Sequence, residues 1–245
     1  MTSLRAKAIG LLLTVPFVAT SLHAGHEPDF QGKSLDYWLD SIRTQDLDSM
    51  MLAFDAIRTM GPRARKAIPE LTRLVSRPFS PIELGKDSER EVAEKLYDLA
   101  VRSEAIDALT YIGEPSASAT LPLIEWALTL RVAPPVMKSR GDYELFVNLV
   151  ALDAEYRLAV LNAIQRFGDP ALPIVTKLLR SGDPEKRKLA VLILGVDVLP
   201  IVTDLLVSYD CDETQLGLTI LRDMDPLVAK TYLSQLEEMM VCAAN

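Results

Sequence analysis

Apolar residues recur along the chain with the period of an α-helix. In three segments they fall at relative positions 0, 3, 4 and 7, which places them on one helix face. The three sets are Ala53, Ala56, Ile57 and Met60; Ala105, Ala108, Leu109 and Ile112; and Val160, Ala163, Ile164 and Phe167. A glycine follows each set, at Gly61, Gly113 and Gly168, with a proline within two residues. Because glycine and then proline are typical of a helix end, the pattern predicts three helices that stop there.

A second helix is predicted after each of these ends. It opens near a proline, which is tolerated in a first helical turn, and apolar residues follow two, five and six positions later. The prolines of the four copies are Pro69, Pro122, Pro173 and Pro200. The fourth copy begins at Asp183 and shortens its turn at Gly195, and a fifth, weaker copy runs from Asp210 to Leu233. No stretch alternates like a strand, so we predict an all-α chain of helical hairpins, each covering the apolar face of the next.

The repeats share a further motif, an aspartate four residues before an arginine. The pairs are Asp98 and Arg102, Asp153 and Arg157, and Asp183 and Arg187, whereas Met50 and Thr214 replace the arginine in the first and fifth copies. With the glycine and proline at the turn, this pattern resembles the HEAT-repeat family. The segment 32–39 is also similar to the lead-in of exported bacterial HEAT-repeat proteins.

This resemblance implies an α–α superhelix of the HEAT or armadillo type, with about five helical hairpins over residues 46–245. Residues 25–45 would form a lead-in and a first capping helix, in which Tyr37 and Trp38 seal the exposed end. For function, the family implies a protein–protein scaffold and no single activity.

The Asp/Arg pairs themselves could be an acid–base or anion site, or they could be structural. Because they recur once per repeat, we favour the structural explanation. The aspartate would cap free N–H groups at a helix start, and the arginine one turn later would pair with it or with the next repeat's aspartate.

Two inserts interrupt the regular spacing of the repeats. The first covers residues 76–94, and the second region, 132–151, comprises a loop and a predicted additional helix at Tyr143–Ala151. Inserts in a solenoid usually lie along one edge, often at the binding face.

The first 24 residues have the order of a secretory signal peptide. Arg5 and Lys7 precede an apolar stretch, Ala8–Ala19, and the small residue Ala24 offers a cleavage site. The apolar stretch is shorter than the roughly 20 residues that span a bilayer. We therefore predict export to the periplasm, the cell envelope or the medium, with no membrane span after cleavage. The alternative is an uncleaved anchor, which would make the chain a membrane-anchored structural protein of the envelope.

Composition excludes several classes of function. The chain has 26 Lys and Arg against 34 Asp and Glu, a net charge of −8, which argues against nucleic-acid binding. Its two histidines, His23 and His26, both precede the helical repeats, so no histidine is available there as a catalytic base. We predict a non-enzymatic protein without a cofactor. The alternative is an enzyme, or an enzyme subunit, with a carboxylate-based site near the inserts.

The chain has two cysteines, Cys211 and Cys242. Export, as predicted above, would place both in an oxidising compartment, where disulfides form. They could form a disulfide that ties the last helix to the preceding repeat. Two free thiols, or a bond to another chain, are the alternatives.

The second helices provide the candidate binding residues. Four residues after each proline, a column of side chains points away from the core face, and the HEAT resemblance would place this column on the concave surface. We predict that Arg73, Trp126 and Lys177 of this column form an accessible stripe together with Arg77 and Arg180, which lie about one turn further on. The stripe would suit an acidic and partly apolar partner protein. The alternative is that an insert covers Trp126 and that the cations are ordinary solvated residues.

Overall fold

The structure, a computed structural model, describes residues 29–44, 46–129, 132–133, 140–224, 226 and 229–230, with side chains from Tyr143 onward in the helix that begins at Arg140. Over these residues the chain is all-α, as predicted. The helices are α1 (Leu35–Arg43), α2 (Leu47–Met60), α3 (Ile68–Val75), α4 (Glu89–Ile112), α5 (Thr120–Leu128), α6 (Arg140–Phe167), α7 (Leu172–Leu179), α8 (Pro184–Leu194), α9 (Val198–Leu206) and α10 (Cys211–Asp223). The predicted signal peptide 1–24, the first residues of the lead-in and the end of the fifth copy lie outside the described residues.

The helices alternate between two roles along the chain. The longer first helices, α2, α4, α6, α8 and α10, each contact the next one. Each shorter second helix packs against the first helix of the next hairpin. The contacts are α3 with α4, α5 with α6, α7 with α8 and α9 with α10. One continuous apolar core runs through these contacts from α1 to α10. Neighbouring hairpins therefore cover one another's apolar faces, as the repeat pattern predicts.

The predicted helix ends at glycine are confirmed. Gly61, Gly113, Gly168 and Gly195 all have positive φ, and a short 3₁₀ turn leads from each of them to the second helix. A positive φ is costly for any residue with a Cβ, which explains why glycine stands at these turns.

One small β-element was not predicted. Residues Asp29–Phe30 and Lys33–Ser34 form an antiparallel hairpin before α1. Its two-residue turn, Gln31 and Gly32, has positive φ at both positions, which suits the twist of a tight hairpin. Strands of two residues are too short to show alternation in a sequence.

The capping helix closes the first end of the core. Trp38 is 1% exposed and packs edge-on against Phe30 and Tyr37, with ring centroids 5.8 and 4.9 Å away. Tyr37 itself is exposed and accepts a hydrogen bond from Lys33 Nζ at 2.8 Å. Trp38 therefore seals the core, while Tyr37 covers it from outside.

Helix capping by the repeat aspartates is confirmed in part. Asp46, Asp183 and Asp210 accept hydrogen bonds from backbone N–H groups at the starts of α2, α8 and α10. The prediction is wrong for Asp98 and Asp153, which lie inside α4 and α6. In α4 the reason is an earlier start: Ser88 and Glu91 form a capping box.

The inserts also differ from expectation. Residues 89–94 of the first insert are the beginning of α4, and Tyr143–Ala151 is not an additional helix but part of the 28-residue α6. The two inserts touch, because Ile82 and Val132 form an isolated parallel bridge in which Ala133 N donates to Ile82 O at 3.0 Å.

Among the described residues, one segment is long and apolar enough to cross a membrane, Pro184–Leu206. In the structure it comprises two helices, α8 and α9, that are separated by the turn at Gly195, and half of its most apolar stretch is buried in the protein. Helices in the core of a protein pass the same test of length and composition, so the segment is weak evidence for a membrane span.

Candidate partner-binding surface

Two of the five predicted binding residues line a groove of about 470 Å³ between α1, α3 and α4. Its charged lining residues are Arg43, Arg73, Arg77 and Asp98, and its other lining residues are Ile42, Met50, Leu74, Tyr97 and Val101. We call this the arginine groove. It brings Arg73 and Arg77 together as predicted, and it adds Arg43, which was not among the predicted residues.

Helix ends explain why three arginines meet there. Arg43 lies in the last turn of α1, Arg73 lies in the last turn of α3, and Arg77 follows the C-cap residue Ser76. Cations near a helix C-terminus are stabilised by the unpaired carbonyl groups and the helix dipole. The recurrence of basic residues at helix ends is the signal that could have identified Arg43.

Glu70 is the counter-ion of Arg73. Arg73 is hydrogen-bonded to Glu70, with Nε 3.1 Å from Oε2. This bond, together with the positive charges of Arg73, Arg43 and Arg77, lowers the pKa of Glu70. The same hydrogen bond raises the pKa of Arg73. Arg73 is therefore neutralised within the groove.

Arg43 and Asp98 are also paired. Arg43 Nη1 lies 2.9 Å from Asp40 Oδ1, and Asp98 Oδ2 accepts a hydrogen bond from Arg102 Nε at 2.7 Å. The side chain of Arg77, in contrast, makes no hydrogen bond or ion pair with any described residue and is exposed. Arg77 is therefore the arginine of the groove whose guanidinium has no hydrogen-bond partner among the described residues.

The backbone around Arg77 is held by the buried Arg102. The guanidinium of Arg102 donates to three carbonyl oxygens at the end of α3 and just after it: Val75 O at 2.6 Å, Arg77 O at 2.8 Å and Pro78 O at 3.2 Å. Arg102 is only 1% exposed. It therefore has the structural role expected for an Asp/Arg pair, and it also fixes one wall of the arginine groove.

The prediction of an accessible stripe is wrong at Trp126. This side chain is 4% exposed, because Phe79 of the first insert packs edge-on against it, with ring centroids 5.4 Å apart. On another side the Arg102 guanidinium carbon lies 4.5 Å from the ring centroid. The alternative, that an insert covers Trp126, is the one the structure supports.

Lys177 and Arg180 are not part of the arginine groove. Both are exposed, at the end of α7, and Arg180 Nη1 lies 3.3 Å from Glu213 Oε1 on α10. The five predicted residues thus do not form one stripe. Arg73 and Arg77 line the groove, Trp126 is buried, and Lys177 and Arg180 lie elsewhere, where Arg180 is paired with Glu213.

An outward apolar stripe on α6 was missed. Its side chains are spaced four, three, four and four residues apart and are all exposed: Tyr143, Val147, Val150, Ala154 and Leu158. They lie on the face opposite to the buried residues Leu149, Tyr156 and Val160. The spacing was visible in the sequence, but the same helix also carries a core face, and periodicity alone could not say which face is covered.

The part of the chain that the structure describes contains no group of three or more His, Cys, Asp or Glu that could hold a metal ion. Among the described residues, the carboxyl groups whose pKa values shift are Asp46, Glu70, Asp87 and Glu91, and all four shift downward through hydrogen bonds. A general-acid carboxyl needs the opposite shift.

Cys211 begins α10 and is disulfide-bonded, whereas Cys242 lies outside the described residues. The predicted pairing of these two cysteines stays a prediction.

Comparisons of the chain with models of protein families, with curated proteins and with solved structures give no match.

Proposed function

We propose that this chain is an exported, non-enzymatic scaffold of the HEAT type, which binds a partner protein through a surface that includes the arginine groove. The observation that carries the proposal is a groove of three arginines, on a chain of net charge −8, in which the side chain of Arg77 has no partner among the described residues. A concentration of cations on an acidic protein favours a partner with acidic groups.

The superhelical part of the proposal is supported by the order of contacts. First helices contact first helices, and each second helix packs on the next first helix, which is the connectivity of a stacked repeat array. Such arrays bury a continuous core and leave long surfaces for partners. Repeat proteins of this kind recognise partners by surface residues, which change without loss of the core.

Affinity capture with a charge-reversed variant tests the proposal. The tagged full-length chain is used to recover proteins from the cell envelope, in parallel with Arg77→Glu and with Arg63→Glu. Both variants change the net charge by the same amount, because each replaces an arginine with a glutamate. Arg63 is the control, because it is exposed on the turn after α2 and lies outside the groove. We expect the partner to be recovered with the unmodified chain and with R63E, and to be lost with R77E. Equal recovery with R77E, at unchanged thermal stability, would remove the groove from the proposed function.

Export is tested separately by amino-terminal sequencing of the mature protein. The signal-peptide pattern supports Gly25 as the first residue. Recovery of the chain with Met1 or Thr2 at its amino terminus would contradict cleavage and favour the anchored alternative.

A further inference from the structure

The charges of the arginine groove leave one positive charge unmatched. Arg73 is paired with Glu70, Arg43 with Asp40, and Asp98 with Arg102. The remaining charged lining residue is Arg77, which is exposed and has no partner among the described residues. A ligand group of charge −1 therefore completes the groove without excess charge of either sign.

The chemistry of the groove favours a carboxylate over a phosphate as this group. A planar guanidinium with free donors matches the two oxygens of a carboxylate through parallel hydrogen bonds. A phosphate monoester carries about −1.5 to −2 charges at neutral pH. Its second negative charge would have no unpaired cation among the described residues and would lie in a groove that is already lined by the carboxylate of Asp98.

The groove also has an apolar floor beside Arg77. Leu74, Ile42 and Val101 line it and are at most 5% exposed, so they present small apolar patches between the charged groups. The phenol ring of Tyr97, which is 41% exposed, lies at the rim. A volume of about 470 Å³ exceeds that of one acidic side chain and accommodates a short peptide segment.

The site is preorganised on the Arg77 side. Arg102, itself buried, binds the carbonyl oxygens of Val75, Arg77 and Pro78, so the backbone that presents the Arg77 guanidinium is fixed before any ligand arrives. Less conformational entropy is then lost on binding.

We propose that the arginine groove binds a short peptide segment in which one Asp or Glu carboxylate pairs with Arg77 and an adjacent apolar side chain packs beside Leu74. This inference rests on the proposed scaffold function and specifies the chemistry of its partner.

Direct binding of defined probes tests it. The probes are the blocked peptides acetyl-Leu-Glu-Leu-amide and acetyl-Leu-Gln-Leu-amide, and inorganic phosphate, at equal concentrations. The readout is the side-chain ¹H–¹⁵Nε signal of Arg77 in the full chain, assigned by its loss in Arg77→Gln. We expect a saturable shift with the Glu peptide and at least about tenfold weaker binding of the Gln peptide, because a charge-assisted hydrogen bond is lost.

Variants separate the specific site from general surface charge. In Arg77→Gln the remaining groove signals should respond to the Glu peptide at least about tenfold more weakly, whereas Arg63→Gln should bind it like the unmodified chain. Equal affinity for the Gln peptide, unchanged affinity in R77Q, or tighter binding of phosphate than of the Glu peptide would each overturn the inference.

The peptide experiment tests the carboxylate inference and the capture experiment tests the proposed function, so either one can be contradicted without the other. If R77E loses its partner but no peptide shifts Arg77, the scaffold function stands and the carboxylate chemistry is wrong. If the Glu peptide binds at Arg77 but R77E keeps its cellular partner, the ligand site stands and the proposed function at this groove is wrong.

Discussion

The guanidinium carbon of Arg102 lies 4.5 Å from the ring centroid of Trp126, in a part of the core that the first insert helps to enclose. Phe79 of the first insert completes the cluster, with its ring centroid 5.5 Å from the same guanidinium. A buried cation that contacts two aromatic rings retains favourable electrostatic interactions after water has been removed. This cluster connects the end of α3, the first insert, α4 and α5, so its loss should affect the stack as a whole.

Removing the Arg102 charge should strongly destabilise the fold. Arg102→Met keeps most of the side-chain volume but leaves Asp98 and three carbonyl groups without their donor, which should lower the free energy of unfolding by about 3 kcal/mol or more. The measurement is urea unfolding followed by circular dichroism. Arg157→Met is the matched control, because Arg157 has the same spacing from its aspartate but is 43% exposed. It should cost less than about 1 kcal/mol, and equal losses for the two variants would contradict the role of burial.

Truncation of Trp126 should also be costly, in contrast to what an accessible binding residue would show. Trp126→Ala removes a side chain that is 4% exposed and should lower the free energy of unfolding by roughly 3–5 kcal/mol. Tyr209→Ala removes an aromatic side chain that is 89% exposed and should change it by no more than about 0.5 kcal/mol. Thermal unfolding of both variants decides the matter. A melting temperature of W126A close to that of the unmodified chain would show that this side chain is not part of the core.

Features that depend on contacts between residues close in sequence were predictable, whereas features that depend on contacts between distant residues were not. The helix ends at Gly113 and Gly168 are local features, set by backbone geometry and apolar spacing, and they were predictable. The burial of Trp126 depends on Phe79, which is 47 positions earlier in the chain and belongs to an irregular insert. Periodicity does not report where such an insert folds back. For the same reason Arg73 and Arg77 were predictable as outward residues of α3 and its end, whereas their convergence with Arg43 was not.

The glycine at the end of α6 should resist substitution for a purely conformational reason. Gly168 has φ of 65° and ψ of −148°, a region that is essentially restricted to glycine, although no atom lies within 4 Å of the position of an added Cβ. Gly168→Ala should therefore cost about 1–3 kcal/mol without any steric clash. Gly182→Ala provides the control, since its surroundings are equally open and its φ is not positive. Chemical denaturation of the two variants should separate them clearly, and a neutral G168A would show that another backbone conformation is available at this turn.

The two faces of α6 should respond differently to the same change. Leu149 is 4% exposed and Leu158 is 56% exposed, although both lie on this helix. Leu149→Ala should cost about 2–5 kcal/mol, whereas Leu158→Ala should cost less than about 0.5 kcal/mol. Urea unfolding of the isolated protein measures both. A large loss for L158A would mean that the outward stripe is covered in solution.

The ion pair between Asp87 and Lys95 should make part of the stability depend on acid pH. Lys95 Nζ lies 2.7 Å from Asp87 Oδ2, and this hydrogen bond, assisted by the backbone N–H of Glu83, lowers the pKa of Asp87 below its usual value of 3.8. A carboxyl group whose pKa is lower in the folded state stabilises the fold above its unfolded pKa. That contribution disappears as the pH falls through the folded pKa.

Asp87→Asn should therefore reduce the free energy of unfolding most at neutral pH, and its difference from the unmodified chain should shrink as the pH falls below about 4. The measurement is urea unfolding at a series of pH values. Asp204→Asn is the control, because Asp204 is exposed on α9 and has no hydrogen-bond partner among the described residues. It should follow the pH dependence of the unmodified chain. A difference for D87N that stays constant from neutral to acid pH would show that Asp87 stabilises the first insert by something other than its charge.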